Sequence, residues 1–377
     1  MKVAFFIGSL NRGGTETLIL DVCRNHRVTP FEVLLIYRNE GELSEQYRQT
    51  GVQMVRLKPK HGRYLSYLMA MRQMLKCEKV DILHAQTLTN SVFSFFCTQR
   101  LPIKVITTFH GFPVGRFANP MTRFVMRHSD MLFYVSDYVR EWYIKRYGLG
   151  ADKSFTVYNG VGFDKLDAEY PTPDFLKKTD PPQAVLDCHA ADPSPRIRLA
   201  MIGNFVSGRA HNSLLRCIHQ LVLAGTRNFD FYFVGKRVDS EPERYDDCVR
   251  YVEDNGLTDN VHFVGSRGDV PAILQHIDGF VYSTDHDTFG IAVVEAMAAG
   301  VPVVVNDWAV MKEITNNGQW GTLYKTNDAK NGAKVIADLI QKNQQYKQQA
   351  KQTAIQVRQT FSIEQHIARL YELYQII

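Results

Sequence analysis

The sequence predicts an α/β protein built from two doubly wound parallel-sheet domains, and three observations carry that expectation. The chain has 377 residues, too long for one ordinary core and suited to two. Short β-branched and aromatic runs alternate with helical patterns along the whole length, as expected of parallel strands covered on both faces. Between the halves the texture breaks. Six of the 14 prolines fall at Pro171, Pro173, Pro181, Pro182, Pro193 and Pro195, where neither a helix interior nor a central strand is tolerated.

In the first half the strand expectations are 3–7, 31–37, 81–85, 104–109, 131–135 and 155–158, with helical patterns such as 16–25, 64–76 and 138–147 between them. In the second half the strands are 197–202, 229–234, 261–264, 279–282 and 301–305, and the helices 212–223, 243–255, 291–298 and 330–359. The expected division is a first domain over 1–165, a Pro-rich linker or loop over 166–195 and a second domain over 196–361. Ser362 followed by Gln365 reads as a capping box opening a last helix, 362–377. That helix either closes the second domain or crosses back onto the first.

Hydrophobic residues at 45% and charged residues at 22% describe a globular chain rather than a disordered one. The net charge of +5 is mild. It suits phosphate-bearing ligands or an anionic membrane surface and gives no support for nucleic acid. Cys23, Cys77, Cys97, Cys188, Cys217 and Cys248 are scattered without a CxxC pair, so neither zinc nor a disulfide framework is expected. A reduced, cytoplasmic protein follows. The apolar run at 3–7 is short and leads into a polar glycine-rich loop, which fits a buried strand better than a signal peptide. No apolar run is long enough to span a bilayer.

Two segments carry candidate chemistry. The first is the loop from Gly8 to Glu16, which opens a helix. Bare backbone N–H groups at a helix start can receive a phosphate. Gly8 and Gly13 have P-loop spacing, but Gly14 stands where the phosphate-binding Lys belongs, and G-x-G-x-x-G is absent. An NTPase and an NAD enzyme are therefore unsupported, and a ligand-free βα turn stays open beside a phosphate cradle. The second segment runs from Ser283 to Pro302. Asp287 lies in a loop, the chain turns at Phe289-Gly290, and Glu295 follows inside a helix. N–H groups near Phe289, Gly290 and Ile291 would point outward at the helix start, and the two oxygens of Glu295 match a pair of vicinal hydroxyls. The structural alternative is that Asp287 caps the helix and Glu295 sits in an ion pair.

This segment resembles the retaining nucleotide-sugar glycosyltransferases of the GT-B fold, glycosyltransferase family 4. Their E-x7-E motif is present as Asp287-x7-Glu295, with Phe289-Gly290, Glu295-Ala296-Met297-Ala298 and Gly300-Val301-Pro302-Val303-Val304 intact. The resemblance extends through Gly13-Gly14-Thr15-Glu16, Asp81-Ile82-Leu83-His84-Ala85-Gln86, Thr107-Thr108-Phe109-His110-Gly111, Tyr158-Asn159-Gly160-Val161, the stretch from Gly203-Asn204-Phe205 to Arg209-Ala210-His211, and Glu313-Ile314.

The resemblance implies two Rossmann-like domains facing across a cleft, with a nucleotide-diphosphate sugar as substrate, no cofactor and no metal. It implies that Glu295 binds the ribose and that Phe289, Gly290 and Ile291 offer backbone donors. Gly13 and Gly14 would let the first loop approach the diphosphate. Arg209 would neutralise phosphate, Asn204 lies in the same loop, and His110 would sit beside the transferring sugar. Asp287 would position sugar hydroxyls rather than act as a nucleophile. Several positions depart from the family pattern: Asp287 for Glu, Thr288 for Gly, Asn204 for Arg, Gly162 for Asp and Gln86 for His.

The first domain is expected to hold a saccharide or lipid-linked acceptor of cell-surface polysaccharide or glycolipid synthesis. Lys58, Lys60, His61 and Arg63 precede a helix carrying Tyr67, Leu68, Met71 and Met74, and Arg116, Arg123, Phe124 and Arg127 form a second mixed patch. Such surfaces can rest on anionic lipid at the inner face of a membrane, or be solvated faces over ordinary core. A nucleotide-sugar epimerase and a non-catalytic nucleotide-sugar binder are the alternatives.

Overall fold

The computed structural model describes residues 1–59, 62–177 and 196–377. Lys60, His61, Pro181, Pro182, Cys188, Pro193 and Pro195 lie outside the described residues. Pro171 and Pro173 lead into the short helix Asp174–Lys177. The chain divides into two compact units, Met1–Gly162 with Phe361–Ile377, and Phe163–Thr360.

The first unit has seven strands: β1 (Lys2–Phe6), β2 (Glu32–Tyr37), β3 (Gln53–Arg56), β4 (Ile82–Ala85), β5 (Lys104–Phe109), β6 (Met131–Tyr134) and β7 (Ser154–Thr156). Their order is β3-β2-β1-β4-β5-β6-β7, and every pair is parallel. The β1 segment shows why its run is apolar without interruption. Val3, Phe5 and Ile7 enter one core, and Ala4 and Phe6 enter the other. The first core is completed by Leu18 of helix Gly14–Arg24 and by Ile367, Leu370 and Leu373 of helix Ile363–Tyr374. Each such leucine contributes about 1.5–3 kcal/mol on burial. The second core takes Tyr67, Met71 and Leu75 from helix Tyr64–Cys77.

The last helix belongs to this unit. Val161 N–H donates to the Phe361 carbonyl at 2.9 Å, and Ile363 N–H donates to the Val161 carbonyl at 3.1 Å. Ser362 Oγ accepts from Gln365 N–H at 3.2 Å, which caps the helix.

The second unit has β8 (Ile197–Ile202), β9 (Phe229–Val234), β10 (Val261–Gly265), β11 (Gly279–Tyr282), β12 (Val303–Asn306) and β13 (Thr322–Tyr324). The order is β10-β9-β8-β11-β12-β13, again parallel throughout. Both sheets therefore reverse direction at a switch point, β1/β4 in the first unit and β8/β11 in the second. Connections leave in opposite directions there, opening a crevice at the carboxyl ends of the strands. The glycine-rich loop follows β1, the 203–210 loop follows β8, and the 283–290 loop follows β11.

Three details differ from the sequence reading. The strand expected at 301–305 begins instead at Val303, because Pro302 has no N–H for the ladder. The single helix expected over 330–359 is two, Ala329–Gln341 and Asn343–Phe361. Asn343 Nδ2 donates to the Asp278 carbonyl at 2.9 Å, so docking onto Asp278 sets the break at Lys342. The edge strands β3 and β13 were not anticipated. They have four and three residues and are only partly buried, so they lack the long apolar signature of the inner strands.

Candidate active site

In the second unit, two loops meet at the β8/β11 switch point. Thr284 joins them: its Oγ1 donates to the Gly208 carbonyl at 2.6 Å and accepts from Asp287 N–H at 3.0 Å. Asn306, 1% exposed at the end of β12, receives Thr284 N–H on Oδ1 at 2.9 Å and donates Nδ2 to the Thr284 carbonyl at 2.7 Å. Trp308 Nε1 donates to the Asp287 carbonyl at 3.2 Å. The Asp287 loop is thus held by Thr284 of its own segment and by Asn306 and Trp308 at the end of β12.

This scaffold brings two of the sequence-predicted residues into contact. Arg209 Nη1 pairs with Asp287 Oδ1. The other carboxylate oxygen accepts from the Tyr282 hydroxyl at 2.5 Å. The Arg209 guanidinium lies over the Tyr282 ring, 5.4 Å from its centroid. Asp287 does not cap the helix. The N-cap of Ile291–Ala298 is Gly290, at φ 94°, with no side-chain cap bond. An alanine Cβ there would lie 2.8 Å from Met311 Cε, so both conformation and space call for glycine.

The Phe289 side chain is buried, which anchors the turn. The Gly290 carbonyl accepts from Val293 and Val294 N–H, and the first N–H groups of the helix have no intrahelical acceptor. Glu295 is ion-paired with Lys165 Nζ at 2.7 Å, with side-chain exposures of 12% and 40%. Asn204 is not part of this cluster: its Oδ1 accepts from Lys236 N–H at 2.9 Å and braces the loop after β9. His211 stacks on Phe205 at 4.1 Å, and burial pushes its imidazole down to about 4, so it is neutral.

In the first unit, Gly13 is extended at φ −158° and Gly14 begins helix Gly14–Arg24. Thr15, on the first turn, lines a cavity of about 570 Å³ together with Gln86, His110, Phe112, Arg116 and Phe117. His110 Nε2 is 2.7 Å from Gln86 Oε1, an acceptor, so Nε2 carries the proton. Burial, helped by the charge His366 would carry, pushes His110 down to about 3 and keeps it neutral. His84 bonds Tyr374 at 2.7 Å and Thr108 at 2.6 Å and is a core residue.

In helix Tyr64–Cys77 the second of the two readings, ordinary core beneath the surface, is the one seen. Tyr67 and Met71 are core, and Leu68 and Met74 pack against it. The exposed apolar residues of that helix are Tyr64, Leu65 and Met69. Sequence reasoning also missed Tyr282, which looks like an ordinary strand aromatic, and Lys165, which looks like a surface cation. No local signal distinguishes either.

Among the described residues, no helix is long and apolar enough to cross a membrane, and no three His, Cys, Asp or Glu side chains group as metal ligands.

The sequence profile described as Glycosyl transferases group 1 matches residues 190–360, and that described as Glycosyltransferase Family 4 matches residues 12–165. A 41.2 kDa protein of the cps region of Klebsiella pneumoniae is 22% identical over 336 residues, 84% of each chain. The phosphatidyl-myo-inositol mannosyltransferase of Mycobacterium leprae is 26% identical over 274 residues, 69% of this chain and 64% of that one. The structure of Anabaena HepE in complex with UDP and glucose superposes with a TM-score of 0.82 at 18% identity, covering 100% of both chains. The two profiles between them span most of the sequence, both sheets have the doubly wound order, and the Gly13-Gly14, Arg209 and Asp287 loops lie at the switch points: this chain belongs to glycosyltransferase family 4, with the GT-B fold.

Proposed function

We propose that the chain transfers a sugar from a nucleoside-diphosphate donor to a saccharide or lipid-linked acceptor, with retention and without a metal. The observation that carries the donor half is the grouping of Arg209, Asp287, the helix start at Gly290-Ile291, and Glu295 around one switch point. A leaving diphosphate develops negative charge, and a fixed guanidinium with oriented amides offsets it without reorganisation. Phe289, Gly290 and Ile291 would present those amides, Glu295 would exchange part of its Lys165 contact for the ribose, and Gly13 and Gly14 would admit the diphosphate at the first loop. Both oxygens of Asp287 are engaged, by Arg209 and Tyr282, which supports a role in holding sugar hydroxyls rather than in attack. Asn204 would act through its loop rather than by contact. The neutral His110, its one N–H directed at Gln86, would act at the transferring sugar as an acceptor from the wall of its cavity.

The acceptor half rests on that cavity, whose rim carries Val114 at 87% exposure, Phe117 at 67% and the adjacent Arg116. Apolar side chains beside a cation suit an amphiphilic acceptor at an anionic bilayer, with the protein on the cytoplasmic face. The relative named phosphatidyl-myo-inositol mannosyltransferase is consistent with this.

The test is a melting screen over UDP-, GDP- and ADP-sugars, followed by turnover with an acceptor panel and product NMR. One nucleotide class should protect the fold, the product should keep the donor's anomeric configuration, and EDTA should leave the rate unchanged. No protection by any nucleotide contradicts the donor reading. Conversion of the donor without an acceptor points to an epimerase.

A further inference from the structure

We propose that Tyr282 is a positioning residue of the donor site, holding the Asp287 carboxylate and the Arg209 guanidinium in the arrangement that receives the diphosphate sugar. The inference rests on the reading of Arg209 and Asp287 as donor-contacting groups.

Tyr282 is the last residue of β11 and is 1% exposed. Its backbone is fixed by pairing with Val305 on β12. Its hydroxyl donates to Asp287 Oδ2 at 2.5 Å while Oδ1 of the same carboxylate meets Arg209 Nη1. The guanidinium closes the ring by lying over the phenol face, 5.4 Å from the centroid. Burial raises the phenol above its ordinary ionisation, so it remains a donor.

The consequence is geometric. A carboxylate facing a guanidinium alone frequently takes it with both oxygens, which turns one edge of the fork, two of its five N–H groups, to the carboxylate. Here the phenol takes Oδ2, so Asp287 meets Arg209 through Oδ1, and carboxylate and phenol together set which way the guanidinium faces. The backbone accommodates this arrangement. A Cβ at Gly203 would stand 3.3 Å from Arg209 Nε and 4.0 Å from Tyr282 Cε2, and glycine leaves that space to the stacked pair.

The test is Tyr282→Phe, which keeps the ring and removes only the hydroxyl. Asp287 is then expected to turn both oxygens onto Arg209. Losing one hydrogen bond to a charged group corresponds to about a tenfold effect or more. Donor KM should rise about tenfold and kcat should fall with it, since the guanidinium that Tyr282 positions meets the diphosphate both when bound and as it leaves. The dissociation constant for the tightest of UDP, GDP and ADP should rise by a similar factor, and the melting temperature should stay within a few degrees. In an Asp287→Asn background the same change should weaken nucleotide binding less than about twofold, since the charged acceptor is gone. A Tyr282→Phe protein with wild-type KM and nucleotide affinity, or an undiminished loss in the Asp287→Asn background, overturns the proposal. Arg209→Gln separates the two levels. If it binds nucleotide as tightly as wild type, the donor-site reading itself fails. If it loses binding while Tyr282→Phe does not, only the role of Tyr282 fails.

Discussion

Replacing Gly290 by alanine perturbs the turn that aims the helix start at the expected donor. Gly290 sits at φ 94°, where an L-residue costs about 1–2 kcal/mol. The new Cβ would stand 2.8 Å from Met311 Cε and 3.4 Å from Ile314 Cδ1. Both neighbours are fully buried, but the Met311 side chain is flexible, so crowding adds about 1 kcal/mol, at the low end of overpacking. Restricting the unfolded chain returns about 0.4–1 kcal/mol. The net is a destabilisation of about 1–3 kcal/mol, which at about 2–4 °C per kcal/mol lowers the transition of the second unit by about 2–12 °C. Differential scanning calorimetry of the full chain reads this directly. A melting temperature within about 1 °C of wild type would refute the argument, because it would mean that the turn relaxes at no cost.

Further expectations concern both units. His366, His110 and His84 are depressed, the first two to about 4 and about 3, chiefly by burial, from an ordinary 6.5. The folded state therefore favours neutral imidazoles. Their contribution is whole above pH 6.5 and is lost as pH falls toward 4, by about 1–2 kcal/mol per histidine at pH 5. The urea midpoint should fall between pH 7 and pH 5, and a flat profile contradicts this. Cys77 is exposed, whereas Cys23, Cys97, Cys217 and Cys248 are buried with raised thiols. Mass spectrometry after brief alkylation should find Cys77 modified before those four, and equal labelling contradicts the burial pattern. Phe117→Asp should reduce sedimentation with anionic phospholipid vesicles several-fold, and unchanged sedimentation contradicts the proposed bilayer contact.

The inner strands were legible because their signals are local. The apolar runs of β8, β9 and β11 are closed off by glycine, polar loops or proline, and their bounds match the sequence reading residue for residue. The edge strands were not legible, since a strand of three or four half-buried residues carries no periodicity to detect. The break at Lys342 was invisible for a different reason: its cause, Asp278, is remote in the chain. The same contrast runs through the site. Asp287, Glu295 and the turn between them stand out because they share one contiguous segment. The Arg209–Asp287 pair forms only because β8 and β11 are neighbours across the switch point. Tyr282 gains its place from that pairing, and Lys165 from the approach of its segment to Glu295, so neither could be read before the fold was known.

The most direct test of a donor site on the second unit is calorimetric titration of UDP, GDP and ADP into the wild-type chain and into Glu295→Ala. The substitution removes a carboxylate whose partner, Lys165, is 40% exposed and can turn to solvent, so the fold should survive. The expected result is saturable binding of one nucleotide by the wild type and a loss of about tenfold or more in the variant. Equal affinity in the two proteins would show that Glu295 serves its ion pair alone and that the nucleotide lies elsewhere.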